Sequence, residues 1–591
     1  MTPVPKKFGQ SERMTVRIRQ LIRNYTRGPG ILKEFLQNAD DAGATRVDVW
    51  IDWQTHDASS LPDARMAMFA GPALLIANDR EFTARDIEAI QRIGEGSKLL
   101  NASKTGRFGL GFNTAYNVTD DPSFVTGDTI YCMDPHASAV TLDGSGESWP
   151  LQRAWQEFPD WPALFIVGGL APHCDRYPGT IFRLPLRDTA RAAVSEISNK
   201  PFTRDDVEEI LTSVAQNAAS LLLFARHLRE LTITEVTRDG LRQRLRVATG
   251  NVDEVESARG PLLAALGEDL KDSVRRWRAD PSRVPPLAAW CHHLDISVDA
   301  AALRRETWYV AAGLVRGDQD RLLEHAHMLV EQFEESAVPW VGAAARITSS
   351  TPTRASAVAG ALHCTFSLPP PVSLPVHLNG CFDLDDARQR LTLATKDTSA
   401  TQRLRGDWNQ TLLADGCARA WIDLLVRLAA DGVDGLYDLW PDPSGPHDAL
   451  TKAMIDAFYE RARVMPLVRV RVRDELRWAT AAELRVLPAR QNKDLEDALL
   501  ADGLPLPDPP LPAHIRHGLA PTELSPADLR RMLRVTSAFR VPLAEAPRPS
   551  LRRPEWIEAM LVFCWSDDRR DLADLPLARA CADSLRVVGP A

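Results

Sequence analysis

Nowhere in this 591-residue chain do two cysteines stand in a Cys-x-x-Cys pair. Its eight cysteines are scattered, which argues against both a disulfide framework and a structural zinc site. Long apolar runs are missing as well. No stretch approaches the ~20 residues that a helix needs to cross a bilayer. Met1 to Gln10 is short and polar, without the apolar centre of a signal peptide. A basic surplus is also lacking, since 70 Lys and Arg against 79 Asp and Glu leave a net charge of −9 and a pI near 5.9. Neither a membrane nor a nucleic acid is therefore expected as a partner. The alternation Arg469-Val470-Arg471-Val472-Arg473 reads as a strand with one wet face. Trp290-Cys291-His292-His293 is the one place that suggests a metal, and adjacent histidines without a second ligand pair read more simply as structural. What remains is a chain too long for one core, with about three or four domains and a cytoplasmic location expected.

The most informative segment present is Ile31-Leu32-Lys33-Glu34-Phe35-Leu36-Gln37-Asn38-Ala39-Asp40-Asp41-Ala42-Gly43. A helix here puts Glu34 and Asn38 on one face, one turn apart. A carboxylate can polarise a water while an amide oxygen holds a hard cation such as Mg²⁺ beside a triphosphate. An amphipathic helix with a polar edge is the plainer alternative.

Downstream, Gly106-Arg107-Phe108-Gly109-Leu110-Gly111-Phe112 sets three glycines where successive N–H groups could point at phosphate oxygens. Phe112 to Tyr116 reads as the start of a helix, whose positive end favours an anion. Lys98 and Lys104 lie just upstream and could add charge. Between the two motifs, Pro72 to Asp79 reads as a buried strand ending in a polar pair at a pocket rim. A carboxylate there can accept the exocyclic amine of adenine. Tyr177 to Leu184 reads as a turn feeding a strand, with Thr180 placed to support that carboxylate. Taken singly, each of these is also an ordinary turn.

In order, these segments resemble the GHKL ATPases, the group of gyrase, a heat-shock chaperone, histidine kinases and mismatch-repair ATPases. The wording Gln37 to Thr45, with Phe8-Gly9-Gln10, Gly127-Asp128 and Asp134-Pro135-His136, is similar to sacsin-type repeats, which begin with a chaperone-type ATPase domain. Leu374-Pro375-Val376-His377-Leu378-Asn379-Gly380, Pro512-Ala513-His514-Ile515 and Leu561 to Asp567 match the later part of such a repeat. The resemblance implies an α+β protein. A two-layer α/β sandwich of the GHKL (Bergerat) type would span 1–195, a mixed middle domain 203–435 and a smaller mixed C-terminal unit 447–591.

By the same resemblance, Glu34 falls on the general base and Asn38 on the magnesium-holding asparagine. Asp41 falls on the acidic residue that orders the metal's waters. Gly106, Gly109 and Gly111 fall on the phosphate-covering loop, Lys98 on a polar lid position and Thr180 on the threonine of the adenine site. Where the superfamily carries Asp-x-Gly-x-Gly, this chain reads Asn78-Asp79-Arg80-Glu81-Phe82. Asp79 is taken as the adenine carboxylate, although Asn78 aligns almost as well, and the missing glycines imply a different lid hinge. Arg388 stands where a middle-domain arginine of the chaperone reaches the γ-phosphate, with a surface loop pairing Asp385 or Asp386 to Arg388 as the alternative. Such repeats normally continue past the equivalent of Leu585 to Gly589, so a fragment or short form is expected.

ATP and Mg²⁺ are thus the expected cofactors, and client proteins and a second copy of the chain the expected partners. The expected function is an ATPase whose nucleotide state drives a conformational cycle in protein handling or assembly. The alternative is an interaction scaffold that keeps the fold without turnover. Acidic charge argues against a DNA-directed motor, and Glu34 argues against a histidine kinase.

Overall fold

The computed structural model describes residues 12–23, 28–91, 111–141, 144–266, 270–284, 291–333, 337–348, 352–369, 372, 374–385, 390–394, 399–488, 493–534, 540–567, 572, 575–581 and 584–586. Two compact units are present, 1–351 with 356–424 and 352–355 with 425–591.

The first unit is built on one long sheet. Its strands are β1 (Arg46–Asp52), β2 (Ala73–Asn78), β3 (Ser123–Gly127), β4 (Thr129–Met133), β5 (Gly146–Pro150), β6 (Tyr177–Pro185) and β7 (Glu230–Thr237). They continue with β8 (Gly240–Thr249), β9 (Cys291–Asp299), β10 (Leu303–Leu314), β11 (Trp340–Thr348), β12 (Leu362–Cys364), β13 (Phe366–Ser367) and β14 (His377–Gly380). The order across the sheet is β5-β4-β3-β6-β2-β1-β7-β8-β9-β10-β11-β14-β12-β13. Neighbours run antiparallel except β1 with β7 and β12 with β14. The parallel β1–β7 pair joins the segments 1–195 and 203–435 in one sheet.

Local pattern explains most of these strands. In β1, Val47, Val49 and Ile51 are buried on one face while Asp48 and Trp50 are half-buried on the other, the period of two of a pleated strand. In β2, Leu74-Leu75-Ile76-Ala77 is buried throughout because both faces are covered. Leu74 and Ile76, with Phe182 and Leu184 of β6, pack under the helices Pro29–Asp41 and Arg204–Gln216. Leu75, Ala77 and Ile181 face a separate core with Trp161 and Phe165. β7 and β8 form a hairpin that turns at Gly240, whose φ of +128° only glycine adopts without strain.

The second unit mixes helices Ala449–Ala462, Lys493–Ala501, Pro526–Leu533 and Pro554–Cys564 with a small sheet of Val468–Val472, Glu475–Ala479 and Leu506–Pro507. Its Arg/Val alternation behaves as the sequence suggests, with Val468 and Val470 buried and Arg471 exposed. The chain is therefore an α+β protein. Among the described residues no helix is long and apolar enough to cross a membrane.

One polar clamp fixes the Pro29–Asp41 helix. The Asp40 carboxylate, 1% exposed, accepts the backbone N–H groups of Arg226, His227 and Leu228 at 3.0, 2.7 and 2.8 Å. Beside it, Arg226 pairs with Asp41 at 2.8 Å. Asp40→Ala would leave three buried N–H groups without their acceptor, a loss of about 3–5 kcal/mol on the scale of a broken buried charge network. The expected outcome is a lower urea midpoint and faster hydrogen exchange at residues 226–228. An unchanged midpoint would show that water replaces the carboxylate.

Candidate functional site

The helix carrying Glu34 begins where Gly28 turns the chain with φ +108° and Pro29 takes the first helical position. It ends at Gly43, whose φ of +82° closes the last turn, with the Ala44 N–H donating to the Ala39 carbonyl. Ile31, Leu32, Phe35, Leu36 and Ala39 bury the helix against the sheet. Glu34 is buried too, at 5% exposure. Between 31 and 40 only Asn38 is exposed, with Lys33 half-buried. The expected pair thus lies on one helix, one turn apart, with the carboxylate inside and the amide outside.

The ends of β2 and β6 form a second part. Asn78 pairs with Thr180 across these strands, and Thr180 with Thr126 of β3. By strand alternation these three share the face of Ile76 and Phe182, under the Glu34 helix. Thr180, fully buried, donates its hydroxyl to the Arg80 carbonyl at 2.8 Å and lies 3.0 Å from the Thr126 hydroxyl. Gly179 is required here, because a Cβ would stand 2.3 Å from the Asn78 carbonyl oxygen. Phe35, Phe82, Phe112 and Phe124 ring Phe182, with centroids 5.2 to 5.8 Å away. Asp79 is engaged with the neighbouring strand. Its carboxylate accepts the Thr45 N–H at 2.8 Å and the Thr45 hydroxyl at 2.5 Å, tying the end of β2 to the start of β1. The Asn78 amide oxygen accepts the Arg80 N–H at 3.0 Å and is half-buried.

Lys98, Gly106, Arg107, Phe108, Gly109 and Leu110 lie outside the described residues, as does Arg388. Gly111 and Phe112 open a short 3₁₀ helix, Gly111–Asn117, where a helix start was expected. Arg187 anchors its far end. This buried guanidinium donates to the carbonyls of Tyr116, Asn117 and Thr119 at 2.6, 3.2 and 2.9 Å, and to Asp120 at 2.8 Å. Asp41 is held by Arg226, as described above. His293 packs edge-on against Tyr309, and no group of three His, Cys, Asp or Glu suited to a metal occurs among the described residues.

A cavity of about 500 Å³ lies beside Glu34. Lys33, Glu34 and Thr114 form one side, while Ser213, Ser367 and His377 come from later segments. Sequence reasoning marked the strand around His377 but gave that histidine no role, and missed the cavity. The available signal was a histidine inside an apolar strand. His377 Nδ1 lies 3.0 Å from Nε2 of His363, which is fully buried. Burial holds both imidazoles neutral, pushing His363 well below its usual range and His377 down to about 4.

Comparison with known proteins agrees with the motifs. Residues 11–247 match the family model described as the sacsin domain. Human sacsin is 31% identical over 444 residues, covering 72% of this chain and 9% of that protein. The chain therefore spans about a tenth of the length of this relative.

The histidine pair generates a pH prediction. Both residues stay neutral in the folded state, whereas the unfolded chain takes up protons as the pH drops through about 6.5. The unfolded state then binds more protons, so stability falls on acidification between pH 6.5 and about 4 for His377. The slope contributed is about 1.4 kcal/mol per pH unit for each histidine. Urea unfolding across this window should show a shallower slope in His377→Phe than in the parent. Parallel slopes would mean that His377 protonates in the folded state.

Proposed function

The chain is a sacsin-type protein, and we propose that its first unit binds ATP with Mg²⁺ and hydrolyses it in the manner of the GHKL ATPases. The observation that carries this reading is the division of one helix, with Glu34 buried against a cavity and Asn38 exposed one turn further on. Glu34 takes the proton from a water held in that cavity as the water attacks the terminal phosphorus. Asn38 offers an amide oxygen to Mg²⁺, which when bound neutralises charge on the phosphate oxygens. The absence of a three-ligand His, Cys, Asp or Glu cluster among the described residues fits a cation carried mainly by phosphate and water oxygens. Asp41, oriented by Arg226, closes the same end of the helix.

Base recognition is assigned to Asn78 with Thr180, instead of Asp79. A carboxylate only accepts hydrogen bonds, whereas an amide offers an acceptor for the adenine amine and a donor for a ring nitrogen. The phenylalanines around Phe182 supply an apolar surface for a planar base. In a cycling protein these groups would couple nucleotide state to the handling of client proteins, with a homodimer and a cytoplasmic setting as parts of the same proposal.

A second reading is a scaffold without turnover. It is favoured by Asn78-Asp79-Arg80-Glu81-Phe82, which lacks the superfamily's glycines, and by the engagement of Asp79 with Thr45. Two measurements separate the readings. Calorimetry with Mg²⁺ and ATP should show binding by the parent and by Glu34→Ala, while phosphate release falls roughly 10²-fold or more in Glu34→Ala. Asn38→Ala should lose the Mg²⁺ dependence of binding. Absence of ATP binding by the parent would leave the scaffold reading standing.

The base assignment has its own test. Asn78→Ala should weaken ATP by roughly 5- to 30-fold, the scale of one or two neutral hydrogen bonds at about 1 kcal/mol each. Asp79→Asn should leave ATP affinity within about twofold and instead lower thermal stability through Thr45. The reverse ranking would restore Asp79 to the base.

A further inference from the structure

We propose that the first unit holds one buried halide ion, in a small cavity lined by the helix Val252–Leu266, by strands β9 to β11 and by residues 223–226. The cavity measures about 20 Å³, above the roughly 10–15 Å³ that one water needs. That is room for a monatomic ion and too little for a phosphate or an organic molecule. Leu223, Leu262 and Val310 belong to its apolar wall. Its polar side chains are Arg226, Arg259, His292 and Trp340, none of them anionic.

Two of these groups lack a counterpart. Trp340 is 4% exposed, and its Nε1–H is buried without a hydrogen-bond partner. An indole nitrogen only donates, so the missing partner is an acceptor. Arg259, 8% exposed, gives its guanidinium N–H groups to the carbonyls of Leu222, Leu223 and Ala225. Those carbonyls supply dipoles but no negative charge, and no carboxylate among the described residues forms an ion pair with Arg259. Burial, and after it the charge of Arg229, lowers the Arg259 pKa to about 9, which leaves the group a cation at neutral pH.

The surrounding charges set the sign of the ligand. Arg226 pairs with Asp41 at 2.8 Å, and Asp40 lies 3.9 Å from the same guanidinium. Glu256 stands 3.8 Å from Arg229, but its side chain is 53% exposed and water screens it. Three buried guanidiniums, Arg226, Arg229 and Arg259, therefore face two carboxylates, Asp40 and Asp41, whose side chains are 1% and 7% exposed. One positive charge is left over, and an unpaired charge in an apolar interior is costly. A halide accepts the Trp340 N–H and neutralises that charge, whereas a water does only the first. The ion lies against Arg226, the partner of Asp41, yet its binding requires no nucleotide.

The test crystallises the full chain at several sodium bromide concentrations, with sodium gluconate holding the ionic strength constant. Bromide scatters anomalously, so the peak height in the cavity reads occupancy and separates the ion from water. A saturable peak is expected in contact with Trp340 Nε1 and Arg259. Trp340→Phe keeps an aromatic ring and removes the N–H, and should weaken bromide roughly 10- to 150-fold, the range of one hydrogen bond to a charged group. Arg259→Met removes the charge at similar volume and should empty the site, while Arg259→Lys should restore part of the occupancy. Should Arg259→Met fail to fold, Trp340→Phe carries the test alone. In solution, bromide in place of gluconate should slow hydrogen exchange at residues 222–226. A cavity empty or water-filled at high bromide overturns the proposal, as does bromide found only on the surface. Undiminished occupancy in Trp340→Phe overturns it as well, because the ion would then owe nothing to the orphan donor. Equal exchange in the two salts overturns it for the dissolved protein.

Discussion

The buried carboxylate of Asp40 is the constraint on which the arrangement of the first unit rests. A carboxylate at the last turn of a helix is unfavourable by itself, because the helix C-terminus already carries partial negative charge, an effect of about 0.3–1 kcal/mol. Three backbone N–H groups at 2.7 to 3.0 Å outweigh that term, since each hydrogen bond to a charged group contributes about 1.5–3 kcal/mol. The three donors belong to consecutive residues just before β7. The clamp thus fixes two things together, the helix that carries Glu34 and Asn38 and the entry of the chain into β7. Because β7 runs parallel to β1, with Val49 opposite Ile233 and Ile51 opposite Glu235, the remaining strands from β8 to β14 extend from that point.

This continuity gives the cavity its composition. The wall from Glu34 and Lys33 comes from the helix above β1, and the wall from His377 comes from β14 near the opposite edge of the sheet. One core of buried side chains runs from Ile31 through Phe182 and Phe224 to Phe366, without a break between the earlier and later strands. A chamber lined by segments so distant in sequence keeps its shape only if the sheet between them is rigid. The apolar packing of Leu231 and Ile233 of β7, Val247 of β8, Ile296 of β9 and Val310 of β10 supplies that rigidity.

Much of this was legible in the sequence, and the reasons are local. β1 shows its period of two, β2 its unbroken apolar run, and the Glu34 helix its polar pair four residues apart. The β7–β8 turn shows in Asp239-Gly240. Parallel pairing of β1 with β7 was not legible, because it links residues whose local patterns carry no mark of each other. The contact that Asp79 makes with Thr45 was not legible for a related reason. The motif gave the position of a polar pair at the end of β2, but only the Thr45 contact decides which member turns towards β1. His377 escaped notice because its chemistry comes from His363, a residue on another strand. The glycine loop and Arg388 fall outside the described residues, so the sequence remains the sole ground for their roles.

Buried charges in this unit sit where irregular backbone needs partners, and that placement explains their use better than stability does. Arg187 satisfies two carbonyls at the end of the 3₁₀ segment Gly111–Asn117 and one just beyond it, and Asp40 satisfies three N–H groups ahead of β7. Replacing a buried ion by a well-packed apolar side chain often leaves stability unchanged or raises it. Such a replacement would, however, leave the backbone groups in question without partners, and those segments would rearrange to find others. Glu34 and Thr114 line the same cavity from these two clamped elements. An apolar core alone sets volume and approximate position, whereas hydrogen bonds of defined length set orientation. The relative placement of the carboxylate and the segment that follows the glycine loop is therefore held by Asp40 and Arg187, neither of which touches the cavity itself.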